Sequence, residues 1–302
     1  MTKLVGIGDC VVDKYLHSRM MYPGGQALNV AVNARQLGCE SAFLGVLGTD
    51  LHADLIRRAM SACGVDGSRC RTFEGENGYA YVNLVDGERV FVGSNRGGVL
   101  REHPLRLDAA DLAYLSGFDV IHADLNSYLD TELEKIRALR IPFSFDFSTR
   151  GTVDYFARVC PNVDYGFIAA GSMTEEECLS KARRMLEFGC GAVVATMGAD
   201  GSLYLDAQGS TRFVAERLDA LDTMGAGDAF IAGFMVSLLR AGVQNRPSAE
   251  RIREAMAAGS ARAAHTVMTH GAFGMGEPYE ERGEFDRLLP PAPPVHDYTK
   301  TE

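Results

Sequence analysis

Chemistry concentrates in one short run, Asp222-Thr223-Met224-Gly225-Ala226-Gly227-Asp228. Two glycines and an alanine stand between two carboxylates, and a strongly apolar segment follows at once (Phe230, Ile231, Phe234, Met235, Val236, Leu238, Leu239). That segment predicts a buried helix whose first turn is Gly-Ala-Gly-Asp. Small residues there let a ligand approach bare backbone N–H groups, and the helix dipole favours negative charge at that end. A phosphate, or charge developing in a transition state, would be held. Asp228 narrows the chemistry. A carboxylate repels a resting phosphate, so its position points to a proton acceptor beside a reacting hydroxyl. The plainer alternative is an ordinary helix start with an acid in its first turn.

Other residues offer partners for such a turn. Asp9 and Asp13 follow the first apolar strand, where open α/β sheets bind ligands and where carboxylates accept hydrogen bonds from sugar hydroxyls. Gly24-Gly25 precede Gln26-Ala27-Leu28-Asn29, so a ligand meets bare backbone next to an amide that both donates and accepts. Thr196-Met197-Gly198-Ala199-Asp200-Gly201 closes a strand in a glycine turn, which either holds phosphates through its amides or is a plain turn. Phe145-Asp146-Phe147-Ser148 is another strand end with a carboxylate and a hydroxyl. Arg96, in Ser94-Asn95-Arg96-Gly97-Gly98, is either a carboxylate partner or a solvated loop arginine. Two common nucleotide signatures fail. Gly6-Ile7-Gly8 is followed by Val11 where a dinucleotide fingerprint needs its third glycine, and no lysine follows a glycine ahead of Ser or Thr.

Alternating β-rich runs and amphipathic helices must position these groups. Strands are expected at Lys3–Gly8, Ala42–Leu47, Asp119–Ala123, Pro142–Phe147, Tyr165–Ala169 and Gly191–Met197. Helices are expected at Gly25–Leu37, Asp50–Cys63, Leu129–Leu139 and Thr174–Phe188. The alternation predicts a doubly wound α/β sheet. Tyr79–Val85 and Arg89–Val92, joined by Asp86-Gly87, break the rhythm as a hairpin. With Val11–Tyr22 it forms either a small lid sheet or an edge of the main one. From Glu277 the chain turns charged and then proline-rich, which predicts an extended tail.

The bulk numbers exclude several functions. A net charge of −10 with no basic stripe argues against nucleic-acid binding, and no apolar run reaches membrane-spanning length. The N-terminus enters a strand directly, without a signal-peptide layout. Seven scattered cysteines with no Cys-x-x-Cys pair fit a reduced, cytoplasmic protein. His265 and His270 fall on different helix faces, so zinc is not expected.

In this order, Gly24-Gly25 with Asn29, the hairpin, Thr196-x-Gly198-x-x-Gly201 and the run from Asp222 to Asp228 resemble the ribokinase/PfkB family of small-molecule kinases over roughly residues 3–275. Within that family the chain is most similar to fructoselysine 6-kinases, through Ile7-Gly8-Asp9, the short segment from Asp13 to Gly24, Arg89-Val90-Phe91, Ile121-His122-Ala123, Phe145–Ser148 and the Asp222–Asp228 run. The resemblance implies a ribokinase-like doubly wound sheet with flanking helices and a β-sheet lid. The core would take residues 1–10, 24–69 and 99–276, the lid 11–23 and 70–98, and the tail 277–302. It implies ATP-dependent phosphorylation of a sugar hydroxyl, the 6-hydroxyl of fructoselysine or a related fructosamine. The alternatives are a plain sugar or nucleoside acceptor, or a binding protein without catalysis. Asp228 would be the base, with Gly225, Ala226 and Gly227 around the phosphoryl group. Asp9, Asp13, Gly24, Gly25, Asn29 and Arg96 would hold the acceptor. Thr196, Gly198, Gly201, Gly225 and Gly227 would hold ATP, with the adenine near Ala257–Ala264. Asp9, Asp124 and Glu88 are candidates for a substrate ammonium. Mg²⁺ is implied, but the family's Asn-x-x-Glu motif is incomplete. Residues 169–177 read Ala-Ala-Gly-Ser-Met-Thr-Glu-Glu-Glu, which leaves Glu175 or Glu176 to organise the ion through water. A homodimer through the lid is a further implication.

Overall fold

Short apolar runs and amphipathic helices build two sheets in the computed structural model, which describes residues 1–85, 88–242 and 247–280. The first half of the chain carries β1 (Lys3–Gly8), β2 (Val11–Tyr15), β3 (Met20–Gly24), α1 (Gln26–Gln36), β4 (Glu40–Leu47), α2 (Leu51–Cys63), β5 (Arg71–Thr72), β6 (Gly78–Val85), β7 (Glu88–Ser94), α3 (Val99–Glu102), α4 (Ala109–Leu115), β8 (Val120–Asp124), α5 (Leu133–Ala138) and β9 (Phe143–Asp146). The second half adds α6 (Val153–Val159), β10 (Tyr165–Ala169), α7 (Glu175–Glu187), β11 (Ala192–Thr196), β12 (Ser202–Asp206), β13 (Gly209–Phe213), α8 (Ala226–Arg240), α9 (Ala249–Thr266) and β14 (Glu277–Pro278).

The larger sheet runs β13-β12-β11-β10-β9-β8-β1-β4-β5. It is parallel from β5 to β11, and β12 and β13 close it antiparallel. From β1 the chain first fills one side, through β4 and β5, and then returns to β8 and fills the other. The order therefore reverses at β1, and a crevice opens outside the carboxyl ends there. Asp9 follows β1, while Asp124 ends β8 and Asp146 ends β9.

Each face of the sheet buries its own core. Val5, Ile7, Leu44, Ile121 and Phe145 pack on one side. On the other, Leu4, Val30 and Val194 meet Phe230, Ile231 and Phe234 of α8 and Met256 of α9. Gly6 permits this second layer. A Cβ there would lie 2.2 Å from the Ala27 carbonyl oxygen, so α1 rests directly on β1. Helix α8 is apolar nearly all round because α1, α9 and the sheet enclose it.

The second sheet runs β14-β3-β2-β6-β7, separate from the first. The β6 and β7 strands pair antiparallel, and β2–β3 supplies its other half. The Asp86-Gly87 connection lies outside the described residues. Lys14 of β2 is buried with its ammonium over the rings of Tyr79 (4.6 Å), Tyr279 (5.5 Å) and Tyr81 (5.7 Å). Three sequence expectations shift. The tail does not leave the fold at Glu277: β14 pairs with Met20 and Met21, Tyr279 is buried, and Glu277 meets Arg58 at 2.8 Å. Residues 281–302 lie outside the described residues. The helix expected from Leu129 starts at Leu133, after a single turn in which the Glu132 N–H bonds the Leu129 carbonyl at 2.8 Å while its carboxylate accepts from the Leu107 N–H (2.9 Å) and Lys135 (2.7 Å). The β12–β13 hairpin was not expected at all, since only the glycine turn that precedes it, Thr196–Gly201, was read.

Candidate active site

Asp228 sits in the first turn of α8, 7% exposed, and its Oδ2 accepts a 2.7 Å hydrogen bond from Asn29 Nδ2. Gly225, at φ 73°, caps the helix. A Cβ on Gly225 would fall 2.4 Å from that of Ala272, so both conformation and space demand glycine. The Ala226 N–H turns back to the Thr223 carbonyl at 3.3 Å. The next helical N–H groups, of Gly227 and Asp228, have no intrahelical acceptor at this end and belong to residues that line one cavity of about 890 Å³. Nothing lies within 4 Å of a Cβ built on Gly227, so an anion reaches its backbone unhindered.

The cavity collects carboxylates from β2, β9, α8 and the link after β1. Asp9, Asp13, Asp146 and Asp228 all line it. Burial, with Asp146 nearby, pushes Asp228 up to about 7 against the Asn29 hydrogen bond and the Arg89 charge. Burial and then Asp9 push Asp13 up to about 7, with Arg89 opposing. Asp9 and Asp146 rise to about 6, again chiefly through burial, with Arg150 pulling both down. Asp228 is thus a stronger base than a solvated carboxylate, whose ordinary value is about 4. Asn29 Oδ1 is buried with no hydrogen-bond partner among the described residues. It leaves an acceptor beside the base for a ligand hydroxyl.

The expected acceptor-binding residues converge here, with one qualification. Gly25 and Arg96 line the cavity, but Gly24 does not. A Cβ on Gly24 would fall 2.6 Å from Asp13 Oδ2, so this glycine makes room for that carboxylate. Asp124 is buried below the cavity, where it accepts from the Asn126 N–H (2.7 Å) and the Ser127 hydroxyl (2.8 Å) and orders a loop instead of meeting a ligand. The side chain of Glu88 lies outside what the structure describes. Thr196, Gly198 and Gly201 do not line the cavity. They flank it through Ala169, the register partner of Thr196, which does. Gly201 spends its N–H on the Gly198 carbonyl, and a Cβ there would meet Phe213 O at 2.1 Å. Its glycine serves the turn first. Glu175 and Glu176 stand in the first turn of α7, outside the cavity lining.

Residues to which the sequence assigned no role complete the site. Gln26 donates from Nε2 to Asp146 and from its backbone N–H to Asp9 Oδ2 (3.1 Å), while its Oε1 accepts from Asn126 (2.7 Å). Arg89 of β7 donates to the Thr223 carbonyl at 2.8 Å, so the small sheet reaches across to the turn before α8. Arg150 donates to Asn126 Oδ1.

Residues 4–277 match the family described as pfkB family carbohydrate kinase. The chain belongs to that family. It is 37% identical over 278 residues to fructosamine kinase FrlD of Bacillus subtilis (strain 168), a match covering 92% of this chain and 95% of the relative. It is 31% identical over 273 residues to fructoselysine 6-kinase of Escherichia coli (strain K12), covering 90% of this chain and all of the relative. The fold matches ribokinase from Giardia lamblia with a TM-score of 0.76 at 18% identity, over 90% and 95% of the two chains. It matches a fructokinase from Xylella fastidiosa solved with bound ATP with a TM-score of 0.71 at 20% identity, over 90% and 94%. The kinase is therefore a ribokinase-like carbohydrate kinase, a phosphotransferase that uses ATP and whose acceptor is a sugar hydroxyl. No helix among the described residues is long and apolar enough to cross a membrane.

Proposed function

We propose that this kinase transfers the γ-phosphoryl group of ATP to the 6-hydroxyl of a fructosamine, fructoselysine or a close relative. The observation that carries the reading is the pair Asp9 and Asp146, buried in the cavity wall with values raised to about 6. A fructosamine differs from a plain sugar by an amine that is protonated at neutral pH. That cation would favour the charged form of both buried carboxylates and offset the cost of their burial, whereas a neutral sugar brings no such counter-charge. The relatives named fructosamine kinase and fructoselysine 6-kinase support the same acceptor.

In this reading Asp13 and Asn29 hold sugar hydroxyls, with Gly24 and Gly25 clearing space for them. The acceptor oxygen attacks the γ-phosphorus as the bond to the β-phosphate oxygen breaks. Its proton passes to Asp228, and ADP leaves. Charge on the transferring group meets the N–H groups of Gly225 and Gly227, and that of Ala226 once it leaves the Thr223 carbonyl, and the loss of one such donor typically costs about 3 kcal/mol. ATP lies along Thr196, Gly198 and Gly201, with adenine toward Ala257–Ala264 of α9. Mg²⁺, when bound, would supply charge neutralisation at the phosphates. The described residues hold no cluster of three or more metal-binding side chains. Glu175 pairs with Arg212 at 3.5 Å, and Glu177 is used in the capping box with Thr174. That leaves Glu176 as the acid to contact the ion's water.

A coupled ADP-release assay over fructoselysine, other fructosamines, fructose, ribose and adenosine tests this function. The expected result is kcat/KM highest for a fructosamine. Preference for fructose, ribose or adenosine overturns the acceptor. Absence of ADP with every acceptor, together with a sugar-induced rise in Tm, identifies a binding protein instead.

The small sheet also offers a dimer surface. Strand β7 is an edge strand whose Val90 and Phe91 are 48% and 58% exposed. An apolar, unpaired edge invites pairing with a second copy. Sedimentation velocity at tens of micromolar is expected to show a dimer that Phe91→Asp dissociates. A wild-type protein that stays monomeric removes this assembly.

A further inference from the structure

The cavity carries arginines as well as carboxylates. Arg96, after β7, and Arg150, after β9, both line it. Neither has a carboxylate within ion-pair distance among the described residues, although acids outnumber bases 40 to 30 in this chain. Both are set in place by the fold. Arg96 (φ 58°) and Tyr128 (φ 53°) share the left-handed backbone region that non-glycine residues seldom adopt, and the Tyr128 hydroxyl donates to the Arg96 carbonyl at 2.8 Å. Ser148 (φ 50°) directs the loop that carries Arg150, and its N–H is held by Asp146 Oδ1 at 2.7 Å. Arg150 reaches Asn126, whose amide reaches Gln26, the residue that binds both Asp9 and Asp146. One hydrogen-bonded chain thus links Arg150 to the carboxylates assigned to the amine.

Resting on the fructosamine reading, we propose that Arg96 and Arg150 form a subsite for the carboxylate of the acceptor's amino-acid half. The acceptor would lie with its 6-hydroxyl at Asp228, its secondary ammonium between Asp9 and Asp146, and its α-carboxylate against the two guanidinium groups. An arginine fork matches a carboxylate in two parallel hydrogen bonds. The substrate class is then a glycated free amino acid, not a glycated amine or a sugar alone.

The test compares fructoselysine with its α-carboxamide, in the wild type and in Arg96→Gln, Arg150→Gln and the double variant. In the wild type the carboxamide is expected to raise the acceptor KM about tenfold or more, the size of one lost charge-assisted hydrogen bond. The double variant is expected to raise the KM for fructoselysine by a similar factor, to leave the KM for ATP alone, and to treat acid and amide alike. Equal KM for acid and amide in the wild type overturns the subsite while the fructosamine function stands. A double variant that still discriminates also overturns it. A rise in the KM for ATP in its place assigns these arginines to phosphate. Turnover of fructose but of neither fructosamine removes the functional reading and the subsite together.

Discussion

Asp228→Asn is expected to fold, to bind ATP and to lose about 10³-fold in kcat, the usual contribution of a positioned general base. Asparagine keeps the volume and can still accept from Asn29 through its amide oxygen, so the loss isolates the proton-accepting function. Near-normal turnover would remove the base assignment. The same substitution makes a second, independent prediction through pH. Asp228 is raised from 3.8 to about 7 in the folded protein. Between those values the unfolded chain has released this proton and the folded chain has not. Stability therefore falls as pH rises from about 4 through 7, and the loss is complete above 7. Asparagine carries no such penalty, so Tm of Asp228→Asn minus Tm of wild type should be larger at pH 8 than at pH 5. The wild-type kcat/KM should fall below about pH 7 as the base protonates. A variant less stable than wild type at pH 8 would show that burial does not strain this carboxylate. The expected pattern is a site that holds its base at a cost to the fold.

What could be read from the sequence was local. Gly225-Ala226-Gly227-Asp228 declares itself because glycine, helix start and carboxylate are adjacent, and the structure places that turn at the cavity. The parallel core was legible from alternation, and the α2 boundaries from Asp50 and Gly64, which cap it as expected. The rest depends on contacts between distant segments. Asp146 was read as a strand-end carboxylate and as part of a resemblance, without a role of its own. Its importance comes from Gln26, 120 positions away, and from its charge beside Asp228. Arg150 and Asn126 lie in loops with no motif, and only the order of β8 and β9 in the sheet makes them neighbours. Gly24 was read as a ligand contact, yet its absent side chain acts through Asp13. Nor does the motif show that Asp228 rises to about 7, since burial is a property of the fold.

Asp222 is the clearest case of a residue that belonged to the motif without a role, and its loss should have the next largest effect. It is fully buried. Its Oδ1 accepts from the Met224 N–H at 2.9 Å, and its Oδ2 from the Gly271 N–H at 2.8 Å and the Tyr15 hydroxyl at 2.6 Å. One carboxylate thus joins the turn before α8, the loop after α9 and strand β2 of the small sheet. Burial and Asp222 together push the Tyr15 hydroxyl upward, so it remains a donor. Asp222→Asn is not conservative in this setting. Whichever way the amide is turned, its NH₂ faces a backbone N–H, of Gly271 or of Met224, and one buried donor loses its acceptor. That costs about 1–3 kcal/mol. The kinetic loss should exceed the stability loss, because the displaced turn carries Gly225 and the N–H groups of Ala226 and Gly227. A misplacement near 1 Å in such a site costs about 10²-fold. Asp222→Asn is therefore expected to lower Tm by several degrees and kcat about 10²-fold. Tyr15→Phe keeps the turn but cuts one tie to the small sheet, while Arg89 keeps the other through the Thr223 carbonyl. It should mainly raise the acceptor KM with little change in Tm. If Tyr15→Phe and Asp222→Asn instead lower kcat in strict proportion to Tm, Asp222 supports the fold alone and does not couple the small sheet to the phosphoryl turn.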